Sequence, residues 1–525
     1  MSLLLCNARI FRTALDTTPA DAILLRDGVV AWIGSAGDAP AADDIMDLAG
    51  RTVLPGLTDA HLHLFMLALS RLQVSFARHP VASIPELIDR LKTSAGQQCL
   101  DPSDWVQGCD LMEDRLGEGR LPTCADLDPA FPDRPVMLRR YCGHVAVLNS
   151  EAMRQLGLGA DTPDPQAGTF RRDAAGQLTG IAEEEAAEWV FARAPVPSNE
   201  EMAVEIMAIM DECLSYGLTS LTEAAVGFST GYDREAAVWA HLRATRTIPV
   251  RMSFMIQLDP DEAAHRGLSP EFSDEWGSDT LKFFADGIIG GRSGAVSVPY
   301  DDTCGVGTLQ QPPGVLEDAF ARSHAAGWRI AAHATGDRGI SRVADAITAA
   351  QAGDRGRRHR IEHCFVPPAG LFPQLADENI LVVMQPAFLQ RMGASIARGL
   401  GSRTKTAYPG ASVLKSGGSL VFSSDAPTGF LSPWAGMLSA VTRLGNHGSK
   451  IGADEALTLP QSLDAYIAGG AYAMRHEKMR GALVPGMAAD LVVMEQDPFS
   501  VVLEKLSDLH AHLCMVGGRI VYRSG

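Results

Sequence analysis

Strand and helix signals alternate through the middle of this chain, and that alternation restricts its fold more than any other feature. Short β-rich runs occur at TSLTEA (219–224), VRMSFMI (250–256), LKFFADG (281–287), RIAAHA (329–334), RIEHC (360–364), LVVMQP (381–386) and SLVFSSDAP (419–427). Amphipathic helical stretches separate most of them, such as NEEMAVEIMAIMDECLSYG (199–217) and LEDAFARSHAAG (316–327). Strand then helix, repeated, builds a parallel α/β sheet. The number of units predicts a (β/α)8 TIM-like barrel rather than an open sheet.

The two ends read differently. Residues 3 to 53 hold short strand-like pieces and turns, with a hairpin signal at Asp27-Gly28, and residues 481 to 525 repeat that character around Gly517-Gly518. This predicts a small β-sandwich domain made from residues 1–54 and 481–525, flanking a barrel over 55–480. Residues 66 to about 200 fit the alternation poorly. Their Pro, Gly and Asp clusters predict an insertion after the first barrel strand.

Composition narrows the function classes. The chain has 525 residues, 46% of them apolar and 21% charged, the profile of a folded soluble protein. A net charge of −18 argues against nucleic acid and anionic membranes as partners, since both need a basic face. No apolar run reaches the roughly 18 residues of a membrane helix. The N-terminus lacks the basic lead and cleavage site of a signal peptide. Nine cysteines without a CxxC pair predict reduced, buried thiols in the cytoplasm.

The chemistry is carried by polar residues at strand ends. In LPGLTDAHLHLF (54–65), His61 and His63 are two apart, so on a strand they point to the same side. Asp59 shares that side and is expected to orient an imidazole. His333 ends RIAAHA, His363 ends RIEHC and Asp425 ends LVFSSD, while Lys282 sits inside an apolar strand. Each alone has an ordinary explanation: a hydrogen-bonded histidine, a helix-capping aspartate, a lysine paired with Asp286 or Glu223. In chain order on successive βα units they form one constellation at the carboxyl end, the active-site face of barrels. Glu362, next to His363 on its strand, is expected to face away and be structural.

These pieces, with LRRYCGHVAVLNS (138–150), GLTSLTEA (217–224), LKFFADGIIGGRSG (281–294), HATGDRGI (333–340) and GALVPGMAADLVVMEQDPF (481–499), resemble the amidohydrolase superfamily. Within it they are similar to the YtcJ-like branch, which includes N-substituted formamide deformylases. The resemblance spans nearly the whole chain. It implies that His61, His63 and Asp425 bind a buried metal ion, that His333 and His363 bind a second, and that Lys282 bridges them after carbamylation by carbon dioxide. Such a site suits Zn2+, one or two per chain, with Fe, Mn, Co and Ni also compatible. The implied reaction is attack of a metal-bound hydroxide on a carbonyl carbon, with Asp425 as catalytic base and then acid, cleaving a non-peptide C–N bond of a small molecule, an amide or N-formyl group.

Arg292, in the Gly-rich loop after the Lys282 strand, is a candidate substrate clamp. His144 and Asn149, which match a motif of the branch, are candidate substrate contacts. Asp337 reads as a helix N-cap. The alternatives are hydrolysis of a cyclic amide, carbamate or ester at the same site, a metal-free relative acting as a binding protein, and a barrel binding a phosphorylated ligand. A small-molecule substrate is the expected partner, and assembly as a homodimer is left open.

Overall fold

The computed structural model describes residues 2–76, 79–97, 104–141, 145–165 and 168–525. The chain divides into two compact units. The first comprises Met1–Leu64, Ile206–Ala236 and Arg243–Gly525. Its centre is a sheet of eight strands: β1 (Leu57–Leu62), β2 (Leu218–Val226), β3 (Arg251–Ile256), β4 (Trp276–Phe284), β5 (Arg329–Ala334), β6 (Arg360–His363), β7 (Leu381–Met384) and β8 (Leu420–Phe422). Each pairs in parallel with its neighbour in sequence order. The strands are buried nearly throughout, which explains their continuous apolar character.

Past its carboxyl end, β8 is tied back to β1. The Asp425 amide donates to the His61 carbonyl (2.8 Å), the His63 amide to the Ala426 carbonyl (2.9 Å), and the Ser424 amide to the Asp59 carboxylate (3.0 Å). These bonds bring the two edges of the sheet together at the end where the histidines lie, giving a nearly closed barrel.

One residue separates the barrel from the terminal strands. Thr52–Pro55 pairs antiparallel with Leu491–Met494, and β1 begins after Gly56. Only glycine fits there: a Cβ would lie 2.1 Å from Thr219 Oγ1. The terminal strands form two sheets. One has four strands, ordered Val29–Gly34, Ala22–Arg26, Ser2–Cys6 and Asp44–Asp47; the other has five, ordered Arg9–Ile10, Thr52–Pro55, Leu491–Met494, Ala511–Val516 and Arg519–Arg523. Leu5, Ile23 and Leu25 share one apolar cluster with Val53, Leu491 and Leu513, so both chain ends contribute to a single core.

The second unit holds Phe65–Glu205 and Ala237–Leu242. It is more ordered than its turn-rich sequence suggests. Six strands form a mixed sheet, ordered Gly168–Arg172, Leu178–Glu184, Val145–Leu148, Val136–Arg140, Val106–Leu111 and Val74–Ser75. Leu87, Leu91, Val106, Leu138 and Val147 belong to its own core. Three antiparallel pairings are followed across the sheet by two parallel ones, and strands of two to seven residues give no sustained period to read. Among the described residues no helix is long and apolar enough to cross a membrane.

Candidate metal centre

β1 delivers two imidazoles to one point because His61 lies on the strand and His63 follows it by two. Their Nε2 atoms are 3.4 Å and 3.2 Å from Asp425 Oδ1. One ligand atom from each of the three residues lies within 4.8 Å of the other two, and all three residues are buried. The His333 and His363 rings stand 4.4 Å apart between centroids, and His363 is 5.1 Å from His61. Four imidazoles and a carboxylate therefore converge at the carboxyl ends of β1, β5, β6 and β8.

Hydrogen bonds outside the cluster fix which nitrogen of each ring faces inward. His61 Nδ1 is 2.5 Å from Glu362 Oε2, so it carries the proton and leaves Nε2 as a lone pair. His363 Nδ1 meets Gln385 Oε1 at 2.7 Å, and Gln385 Nε2 donates to Ser423 Oγ at 2.9 Å, which orients the amide. His363 thus keeps its Nε2 free. His333 is the reverse: its Nε2 donates to the Gly287 carbonyl at 2.8 Å, leaving Nδ1.

Burial sets the charge states. It pushes His333 down to about 4 and His363 well below the usual histidine range, so both rings are neutral. Burial alone would raise Asp425, but the adjoining His61 and His63 rings hold its carboxyl well below the usual range. Burial likewise lowers the Lys282 ammonium to about 8, against the pull of Glu362 and Asp425. Lys282 Nζ has no hydrogen-bond partner and lies 5.2 Å from the Phe284 ring centroid.

Three buried polar atoms here make no well-formed hydrogen bond: His61 Nε2, Asp425 Oδ1 and Lys282 Nζ. Orphaned polar atoms are costly and rare in protein interiors. Two of these are lone-pair donors aimed at one point, and neutral imidazoles with a carboxylate are the donor set of a divalent transition metal. The residues fit such an ion.

The structure corrects several expectations from the sequence. Glu362 does not stand apart from the site. Left-handed backbone at His363 (φ +75°) and Cys364 (φ +44°) breaks the strand alternation, so the Glu362 carboxylate and the His363 ring both reach His61. Asp59 accepts the backbone amides of His61 and Ser424, not an imidazole. Asp286 is not paired with Lys282; it accepts the amides of Ala295, Thr335 and Gly336 at 2.8–2.9 Å. Glu223 Oε1 lies 3.9 Å from His63 Nδ1. Asp337 begins its helix instead of capping it, and its carboxylate anchors Ser297.

Two of the candidate substrate contacts are occupied elsewhere. The Arg292 guanidinium binds Asp302, Ser395 and the carbonyls of Ile289 and Gly290, so it clamps its own loop. Asn149 is fully buried, caps the helix Ser150–Leu156 and bonds the backbone of Phe131, Arg134 and Val136. Asn149 therefore ties down the backbone around it. His144 lies outside the described residues. Sequence reasoning passed over Gln385 and the Gly287 carbonyl. A glutamine ending an apolar strand beside proposed ligands was the available signal for the first; a carbonyl leaves none.

Comparison with known proteins decides the family. The model of the amidohydrolase family matches residues 44–522. The chain belongs to the amidohydrolase family. This amidohydrolase is 28% identical over 516 residues to YtcJ of Bacillus subtilis, whose designation as an amidohydrolase is provisional, covering 96% of each chain. It is 27% identical over 541 residues to the N-substituted formamide deformylase of Arthrobacter pascens, covering 99% of this chain and 98% of the relative. Among solved structures it resembles an uncharacterized metal-dependent hydrolase of Pyrococcus horikoshii, with 25% identity, a TM-score of 0.80, and coverage of 96% and 99% of the two chains.

Proposed function

We propose that this amidohydrolase cleaves a non-peptide C–N bond, an amide or N-formyl group, of a small molecule, using one or two divalent ions, Zn2+ foremost. The observation that carries the reading is the convergence of His61, His63 and Asp425, with His61 Nε2 and Asp425 Oδ1 buried and lacking a well-formed hydrogen bond. A bound divalent ion supplies Lewis acidity and lowers the pKa of a coordinated water to about 7.

The chain's own residues do the rest. His61 and His63 hold the ion, and Glu362 keeps His61 in the tautomer that presents Nε2. His333 Nδ1 and His363 Nε2 are the free nitrogens of a second position. Asp425 takes a proton from the attacking water on its carboxylate and returns it to the leaving nitrogen. Its deprotonated state at neutral pH suits the first half of that exchange. Lys282, lowered to about 8, has a neutral fraction able to add carbon dioxide, and the resulting carbamate would bridge the two positions. This reading keeps the small-molecule partner, the cytoplasmic location and the possibility of a dimer expected from the sequence. It also treats the two terminal sheets as one β-sandwich domain.

The test is metal content by plasma mass spectrometry on protein purified without chelators, followed by a panel of N-formyl compounds and amides. About two ions per chain and turnover on the panel supports the reading. No metal after incubation with Zn2+ or Mn2+ and bicarbonate removes it. Ring amides, carbamates and esters belong in the same panel, because they need the same site and a different pocket.

A further inference from the structure

At the end of the barrel opposite the histidines, residues of β2 to β6 line a small cavity of about 20 Å3. Its lining includes Thr222, Ser253, Asp279, Arg329, Arg360 and His476. Its polar chemistry is one-sided. His476 is 1% exposed, and its Nδ1 takes the Arg480 guanidinium. An arginine only donates, so Nδ1 accepts and the ring proton sits on Nε2. That N–H is buried with no more than a weak contact to the Ser273 backbone. The Thr222 hydroxyl is buried and unpartnered too.

Positive charge is also poorly matched. Arg329 donates Nε and Nη2 to the carbonyls of Arg357 and Arg358. Its Nη1 comes no closer than 3.7 Å to Asp279, a carboxylate already engaged by Arg475 at 3.2 Å and by the Thr280 hydroxyl at 2.6 Å. Arg480, 4% exposed, bonds a carbonyl, a thioether and His476, with no ion pair among the described residues. Glu271 also lines the cavity but is exposed. Burial holds Arg329 down to about 10 and Arg480 to about 9, the mark of guanidiniums short of counter-charge.

Donors without acceptors, beside under-compensated cations, call for an acceptor that carries negative charge. A water would accept the hydrogen bonds and leave the charge. A multiply charged anion such as phosphate would be opposed by Asp279. We infer that this cavity binds a single monovalent inorganic anion, chloride under ordinary conditions, held by Arg329, the His476 Nε2–H and the Thr222 hydroxyl. Arg360 links the two ends of the barrel: it lines the cavity and binds Glu362, which holds His61. The anion is therefore two side chains from the metal ligand.

Thermal unfolding of the full-length, metal-loaded protein tests this, in sodium chloride against sodium gluconate at equal ionic strength. The expected result is a saturable rise in Tm of about 2 °C with chloride or bromide and no saturable rise with gluconate. Crystals soaked in bromide should show an anomalous peak in the cavity. Thr222→Val should keep the fold and move the half-effect to roughly tenfold higher chloride, as expected for one lost hydrogen bond to an anion. Arg329→Gln, if it folds, should abolish the dependence. Superimposable behaviour in the two salts, a soaked cavity without a bromide peak, or an unchanged halide response in Thr222→Val would each overturn the inference.

Discussion

Glu362 Oε2 lies 2.5 Å from His61 Nδ1, with both side chains fully buried, and Arg360 binds the same carboxylate from the other side. A buried carboxylate between a cation and a proposed metal ligand does two things: it fixes the ring's tautomer and raises its basicity. Burial would raise Glu362, but Arg360 and His61 hold it well below the usual range, so it stays charged. Glu362→Gln keeps the shape and removes the charge. Metal affinity at the His61 position should fall about 10- to 100-fold, read by metal content after dialysis against graded chelator. Stability should fall too, by about 3 kcal/mol, because Arg360 is left buried without its counter-ion. Affinity unchanged from the parent would mean that the carboxylate serves packing alone.

Asp425 is assigned two tasks, and one substitution separates them. Asp425→Asn retains an oxygen for the metal but cannot take a proton. Its kcat should drop by roughly 10²- to 10⁴-fold, the usual worth of general acid–base catalysis, while metal content per chain stays near the parent value. Turnover close to the parent would exclude Asp425 as the proton carrier.

Asp286 holds the loop after β4 against the end of β5. It accepts the amides of Ala295, Thr335 and Gly336, and Thr335 Oγ1 in turn donates to the Gly287 carbonyl that fixes His333. In Asp286→Asn an NH2 group faces an amide N–H, whichever way the side chain turns. One buried donor is left unsatisfied, at a cost of about 1–3 kcal/mol. Chemical denaturation should show that loss. Metal titration should show it at the His333 position before the His61 position; equal weakening at both would point to general loosening.

The barrel was legible because its strands are buried on both faces and read as unbroken apolar runs, and because a histidine, a lysine or an aspartate in such a run stands out. That is how His61, His63, Lys282, His333, His363 and Asp425 were singled out as candidates before any geometry. What failed was inference from strict alternation. The left-handed turn at His363 redirects a side chain by a backbone angle that no residue type there announces, so Glu362 was misread. Arg292 and Asn149 failed for another reason. A polar residue in a motif is as readily kept by the loop it ties down as by a ligand, and only the hydrogen bonds distinguish the two. The second unit was opaque because a short mixed sheet carries no single period.

Acid sensitivity should come partly from a histidine far from the metal site. His359 is buried between β5 and β6: its Nδ1 accepts the Ile330 amide at 2.9 Å, so its Nε2–H donates to His324 Nδ1, also at 2.9 Å. Burial first, then His324 and the positive neighbours Arg329 and Arg357, lower it to about 3. In the unfolded chain its pKa is near 6.5. Below 6.5 the unfolded state therefore binds a proton that the native state does not, and stability falls as pH falls. The loss from this one group approaches 1.4 kcal/mol per pH unit between about 6 and 4, and it is absent above 7. His359→Gln retains an acceptor for the Ile330 amide and does not titrate. It should be less stable than the parent at pH 7.5 because the His324 contact and the packing are disturbed, yet its stability should decline less steeply on acidification. Denaturant midpoints from pH 7.5 to 4.5, with metal held saturating, would show converging curves; parallel curves would assign the acid loss to the carboxylates instead.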